Sequence, residues 1–184
     1  MLLNGGASID THDFYTAACH LDLIAVEMLL NSPKIDVSDR NAALILGIMA
    51  SRGDKRLAAL FLTKGADINY TDINNGGHTH LTWACKLNNA RLIQYLIQLG
   101  ADVTKPAKNG KTPLMYACQY ENIEAVKLIL DKMTDPAKLQ QKSSRFFGKT
   151  AACMTKNPGI QKMIEARIIE LSKRETLSPS KGLS

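Results

Sequence analysis

Two Gly-Lys-Thr triplets, Gly110 to Thr112 and Gly148 to Thr150, are the first residues to invite a chemical reading, because such a triplet can close a phosphate-binding loop. That loop also needs a glycine five residues before its second one, and those positions hold Lys105 and Ser143. Both triplets also fall on a turn and not behind a buried strand, so nucleotide binding is not expected. Cys19 and His20 are the only adjacent thiol and imidazole, and sequence neighbours point apart on a helix. A nucleophile needs a base within hydrogen-bond reach and a third group to orient it, and no such set appears. No paired-carboxylate motif appears either, so no catalytic residue and no enzyme is expected. His78 and His80 flank Thr79, but both fall at a helix entrance, which favours a structural role over a metal. Cys19, Cys85, Cys118 and Cys153 contain no CxxC and no Cys/His pair at ligand spacing, so neither a metal, a cofactor nor a disulfide is expected.

The elements that carry these residues are clearest between Gly110 and Leu130. Thr112-Pro113-Leu114 opens a short helix, with proline in the first turn, where its missing N–H has no partner to lose. Ala117 and Cys118 are small enough for a second helix to approach closely. After a polar break at Gln119 to Asn122, Ile123, Val126, Ile129 and Leu130 mark one apolar stripe of a second helix. Two short helices cannot bury that stripe alone, and similar units do recur. Taking Thr112 as the phase mark, the same place falls at Leu44, Thr79 and Thr150, at intervals of 35, 33 and 38 residues. Gly65-Ala66-Asp67 and Gly100-Ala101-Asp102 close successive units.

A period near 33 residues, with a turn, two helices and a Gly-Ala-Asp exit, resembles the ankyrin repeat. The resemblance covers roughly residues 1–170 and implies an all-α solenoid of stacked helix-turn-helix units with protruding turns. Repeats are expected at about 12–38, 39–70, 71–104, 105–133 and 145–170, followed by a flexible tail over 171–184. The first unit carries Phe14, Ala17 and Ala18, then Ile24, Val26, Met28, Leu29 and Leu30, without room for the usual turn. The second lacks the Thr-Pro start. The third has a turn about two residues longer than that of the fourth, from Asp72 to His78. The fifth starts late, after an insertion between Asp131 and Gly148. Its helix, with Ile160, Met163, Ile164, Ile168 and Leu171 apolar and Lys162, Glu165, Arg167 and Glu170 between them, reads as a polar-faced cap. Met1 to Asp10 reads as the end of a preceding unit, so the sequence is either a fragment of a longer protein or frayed at its start.

Aromatics are scarce at 5%, which suits a stack packed by small and aliphatic residues. No apolar run approaches the roughly 18 residues of a membrane helix, and no secretory signal opens the chain. Cys85 and Cys118 share one buried phase, as packing thiols in a reducing compartment would. A cytoplasmic monomer is therefore expected, with nuclear or host-delivered settings as alternatives.

In the ankyrin family, partners are gripped by turn tips and the ends of first helices, which implies a site that can be carried over by phase. In repeat 3 those places hold Asn74, Asn75, His78, Lys86 and Leu87, and in repeat 4 Lys108, Asn109, Lys111, Gln119 and Tyr120. Repeat 5 offers Phe146, Phe147 and Lys149, and repeat 2 offers Arg40, Asn41, Ser51 and Arg52. The set is basic and aromatic and lacks a carboxylate, so the expected partner is a protein with an acidic segment. The net charge of +6 is uneven. Residues 1–136 hold 13 basic and 14 acidic side chains, whereas 137–184 hold 10 and 3, or +7. A non-catalytic interaction scaffold that holds its acidic partner in the concave groove lined by the turns and first helices is the first reading, and a recognition or regulatory arm of a larger enzyme or secreted effector is the second. Docking of nucleic acid or membrane on residues 137–184 is a third, the nucleic acid disfavoured because no stacking platform or groove-reading helix is evident.

Overall fold

The computed structural model describes residues 24, 27, 28, 59, 62–71, 76–143 and 148–177. The chain divides into two compact units, residues 1–70 and 71–184.

In the first unit, Leu62 and Thr63 are helical and the chain leaves through the expected Gly-Ala-Asp exit. The Gly65 N–H donates to the Leu62 carbonyl (3.0 Å), and Asp67 Oδ1 accepts from the Asn69 N–H (2.8 Å). Ala66 is buried between these bonds. Ile24 and Met28, read as part of an apolar stripe, are helical but exposed. The other residues singled out in repeat 1, and the first helix of repeat 2, lie outside the described residues.

The second unit is built from helix pairs. Helix α1 (His80–Lys86) and α2 (Ala90–Gln98) form one pair, and α3 (Pro113–Gln119) and α4 (Ile123–Lys132) the next. Their boundaries follow from capping. Thr79 and Thr112 accept from backbone N–H groups three residues on and start the first helices. Asn89 and Asn122 do the same for the second helices. Between the helices of each pair the chain reverses through a left-handed residue, Asn88 (φ 55°) or Glu121 (φ 53°). The exit after α2 repeats that of the first unit: the Gly100 N–H donates to Ile97 and Asp102 Oδ1 accepts from Thr104.

Packing runs from pair to pair. First helix lies on first helix, α1 against α3, and second on second, α2 against α4. Ala84, Cys85, Ala117 and Cys118 line the close approach and are fully buried, as are Leu81, Leu114, Ile93, Leu96 and Ile129. The stripe of α4 differs from expectation by one position. Ala125, Val126, Ile129 and Leu130 are buried, while Ile123 stays 46% exposed. Ala125 takes the buried place at the start of the stripe and Ile123 is left on the helix shoulder. The turns also meet. The Lys108 N–H donates to the Gly76 carbonyl (3.1 Å), and a Cβ on Gly77 would lie 2.9 Å from Lys108 Cβ. Only glycine fits there, all the more so at φ +60°.

The fifth repeat departs from the pattern. Helix α5 (Pro136–Leu139), capped by Asp135, occupies the insertion before it. Its first helix is a four-residue 3-10 helix, Ala151–Met154. The reason is a spacing: the capping Thr and Asn lie ten residues apart in repeats 3 and 4, but Asn157 follows Thr150 by seven. About one helical turn is missing. Asn157 Oδ1 accepts from Gly159 and Ile160 and so caps α6 (Pro158–Leu177). Ile160, Ile164 and Leu171 of α6 are buried. Arg167, expected on the polar outer face, turns inward and donates to the carbonyls of Met133 (2.9 Å) and Asp131 (3.4 Å) while pairing with Glu170 (2.8 Å). It thereby occupies the negative end of α4, where a cation is favoured. The tail expected from residue 171 is helical through Leu177.

Candidate partner-binding site

The first helices present the same three positions relative to their capping threonine. Four residues on stand Trp83 and Tyr116; seven on, Lys86 and Gln119; eight on, Leu87 and Tyr120. Because α1 packs on α3, these positions become neighbours across the repeat boundary. His78 joins them. Its ring lies edge-on to Trp83 (centroids 5.2 Å apart) and tilted against Tyr116 (5.5 Å).

Cations flank this aromatic row. Lys86 Nζ stands 4.7 Å from the Trp83 ring centroid. On the other side Lys111 Nζ lies 5.3 Å from the Tyr116 ring and donates to Gln119 Oε1 (2.5 Å). Asn109 braces both: its Nδ2 donates to the Tyr116 hydroxyl (2.9 Å) and its Oδ1 accepts from the Lys111 N–H (2.9 Å). Burial and the Lys86 charge hold the His78 pKa below its ordinary value. Burial pushes the Tyr116 hydroxyl up despite its Asn109 bond, and holds the Lys111 ammonium down.

The structure therefore joins His78, Lys86, Asn109, Lys111 and Gln119 in one cluster. Leu87 and Tyr120 follow directly as the C-cap residues of α1 and α3, 58% and 41% exposed. Lys108 is exposed on the turn that pairs with Gly76. Lys149 is exposed in the next repeat, where its carbonyl accepts from Ser143. Lys111 departs from the expectation of a cation open to a partner: it is only 6% exposed and engaged by Gln119 and Tyr116. Arg40, Arg52, Asn74, Asn75, Phe146 and Phe147 lie outside the described residues. Sequence reasoning passed over Trp83, which is 41% exposed at the Lys86 end of the row. Its match in phase to Tyr116 was the available signal.

The Gly-Lys-Thr triplets are turn and cap residues. The Ala107 N–H donates to the Lys111 carbonyl and the Ser143 N–H to that of Lys149, so each triplet closes the same turn. The Ser143–Lys149 turn is two residues longer than the Ala107–Lys111 turn. Cys85 and Cys118 are buried with raised pKa values, that of Cys118 pushed up to about 12 by burial. Among the described residues no group of His, Cys, Asp or Glu is arranged to hold a metal, and no helix is long and apolar enough to cross a membrane.

A sequence profile for ankyrin repeats in three copies matches residues 14–107 and 46–141. The chain belongs to the ankyrin repeat family, and its fold is the family's all-α repeat. It is similar to a putative ankyrin repeat protein of Borreliella burgdorferi, 34% identical over 35% of this chain and 30% of that one. It is 27% identical to the putative ankyrin repeat protein L271 of Acanthamoeba polyphaga mimivirus, over 56% of this chain and 14% of the relative. A protein of Dirofilaria immitis named L-asparaginase is 33% identical over 54% of this chain and 16% of its own length. The chain thus spans under a third of each of these relatives. Ankyrin repeats generally mediate protein–protein interaction and are generally non-catalytic.

Proposed function

We propose that this chain is a non-catalytic interaction module that holds an acidic segment of another protein against α1, α3 and their preceding turns. The observation that carries this reading is the row of His78, Trp83 and Tyr116 with Lys86 and Lys108 beside it. Trp83 gives contact area at low entropic cost, the buried Tyr116 backs the row from beneath, and lysines set sign and orientation. Leu87, Tyr120 and Lys149 extend the same surface, Asn74, Asn75, Phe146 and Phe147 are assigned to it by phase, and Arg40 and Arg52 are the candidates at the corresponding phase of repeat 2. Asn109, Lys111 and Gln119 contribute by holding Tyr116 in place. The ankyrin repeat region is assigned to residues 1–170, with repeats from about residue 12 onward, in a monomer working in the cytoplasm.

The test is capture from cell lysate by the wild-type chain and by a Lys86→Glu/Lys108→Glu variant. Both side chains are exposed, so the variant should fold as the wild type does. A protein retained by the wild type and lost by the variant supports the reading. Identical captured sets refute it.

A second reading is favoured by one observation: the chain spans under a third of the relatives described above. On that reading the same surface is a recognition or regulatory arm of a longer enzyme or effector. A reading frame continuing beyond either end into a catalytic domain would decide for it.

A further inference from the structure

The groove reading names an acidic partner but leaves open what its apolar side chains do, and the following rests on that reading. Trp83 is 41% exposed, yet part of its ring is already covered, because Lys86 three residues on lays its ammonium 4.7 Å from the ring centroid. Both groups are on the outer side of α1, whose inner side buries Leu81, Ala84 and Cys85. On the flanks Leu87 and Tyr120 are exposed apolar surfaces and Lys108 is an exposed cation. Of the described residues assigned to this surface, Lys86, Lys108 and Lys149 are exposed and cationic, and none is a carboxylate. The surface therefore asks for negative charge and apolar area together.

A lysine lying on an exposed indole is weakly held. A carboxylate brought beside it competes for the ammonium with a charge-assisted hydrogen bond, which is the stronger interaction. As Lys86 turns towards the carboxylate it uncovers the indole face. We infer that Lys86 and Trp83 form a two-part recognition pocket for an acidic protein segment that carries a large apolar side chain within a few residues of a carboxylate. The acid draws Lys86 aside, and the apolar side chain takes the place that Lys86 leaves between Trp83 and Leu87. A purely acidic ligand satisfies the lysines and leaves the indole wet. A purely apolar one must cover Lys86 without pairing it, which burial penalises.

The chain contains one tryptophan, so fluorescence excited at wavelengths that tyrosine does not absorb reports on Trp83 alone. Three short synthetic peptides are the probes: one of Glu with interspersed Leu and Phe, one with those apolar residues replaced by Ala, and one with Glu replaced by Gln. The first peptide should shift the Trp83 emission to the blue, saturably, and bind at least about tenfold tighter than either control. Lys86→Met should weaken the first peptide about tenfold while Lys86→Arg retains it, with far-UV circular dichroism unchanged in both. If the Glu/Ala peptide binds equally well and the emission does not move, the two-part pocket is wrong while the acidic-groove reading stands. If no peptide binds but the lysate partner is still captured in a Lys86/Lys108-dependent way, the pocket is again wrong and the groove reading survives. If both assays are blank, both fall. An oligothymidylate that moves the emission more than the first peptide would assign the surface to nucleic acid and overturn the inference.

Discussion

Replacing Lys111 by alanine is expected to destabilise the fold by about 2–3 kcal/mol, whereas the same change at Lys108 should cost less than about 0.5 kcal/mol. The Lys111 ammonium is held by Gln119 Oε1 at 2.5 Å and by the Tyr116 ring at 5.3 Å, and the residue is 6% exposed. A hydrogen bond from a charged donor is worth about 1.5–3 kcal/mol, and a cation–π contact about 0.5–1 kcal/mol or more. Each buried methylene of the stem adds about 0.8 kcal/mol. Against this stands the desolvation of the ammonium, which lowers its pKa and is relieved in the variant. Gln119 is exposed, so its freed oxygen returns to water and adds no orphan penalty. The net of about 2–3 kcal/mol corresponds to a fall in Tm of about 4–12 °C for a chain of this size. Thermal unfolding followed by circular dichroism, with the two variants side by side, measures it. Equal Tm values for Lys111→Ala and Lys108→Ala would refute the argument and return Lys111 to the partner-facing surface.

Four further outcomes are expected. Leu114→Ala, at a fully buried site of α3 between α1 and the 3-10 helix, should cost about 2–5 kcal/mol in a denaturant titration; a loss under about half a unit would remove Leu114 from the core. Glu121→Gly should raise Tm slightly, because relieving about 1–2 kcal/mol of left-handed strain outweighs about 0.5–1 kcal/mol of added chain entropy; an unchanged or lower Tm would show no strain there. His78 has its pKa lowered in the fold from 6.5, so between the two values the unfolded chain binds more protons and stability drops as pH falls through that window. His78→Gln should flatten that slope in melts taken across mildly acidic pH, and an unaltered slope would place its origin elsewhere. Cys153 is exposed, with its thiol pKa lowered chiefly by the Thr150 hydroxyl (3.4 Å), so an alkylating reagent mapped by mass spectrometry should label it well before buried Cys85 and Cys118. Equal labelling of the three would contradict their burial.

The parts of the fold that were legible in the sequence are those fixed by local chemistry. Thr79 and Thr112 announce their helices because a capping hydroxyl must sit at the start, and Gly65 and Gly100 announce the exits because the chain turns left-handed there. The buried phase shared by Cys85 and Cys118 was equally open to view, since a close helix crossing admits only small side chains. What escaped depends on partners distant along the chain. Arg167 looked like a surface charge until α6 was laid on the end of α4, some 34 residues earlier in the sequence. Lys111 looked like a turn cation, and only the curl of α3 brings Gln119 back over it, eight residues on. Ile123 and Ala125 both fit a helical period, and the packing of α4 on its neighbours buries the alanine and leaves the isoleucine out. Of the site, His78, Lys86, Leu87, Lys108 and Tyr120 could be found by phase. Trp83 could have been found in the same way, as the residue that Tyr116 answers one repeat later.

The most direct test of the account is hydrogen exchange on the chain alone and bound to its captured partner, read peptide by peptide. New protection is expected over residues 76–87 and 107–120, the turns and first helices of repeats 3 and 4, with α6 unchanged. Protection confined to residues 137–177 would contradict it and assign binding to the basic C-terminal third.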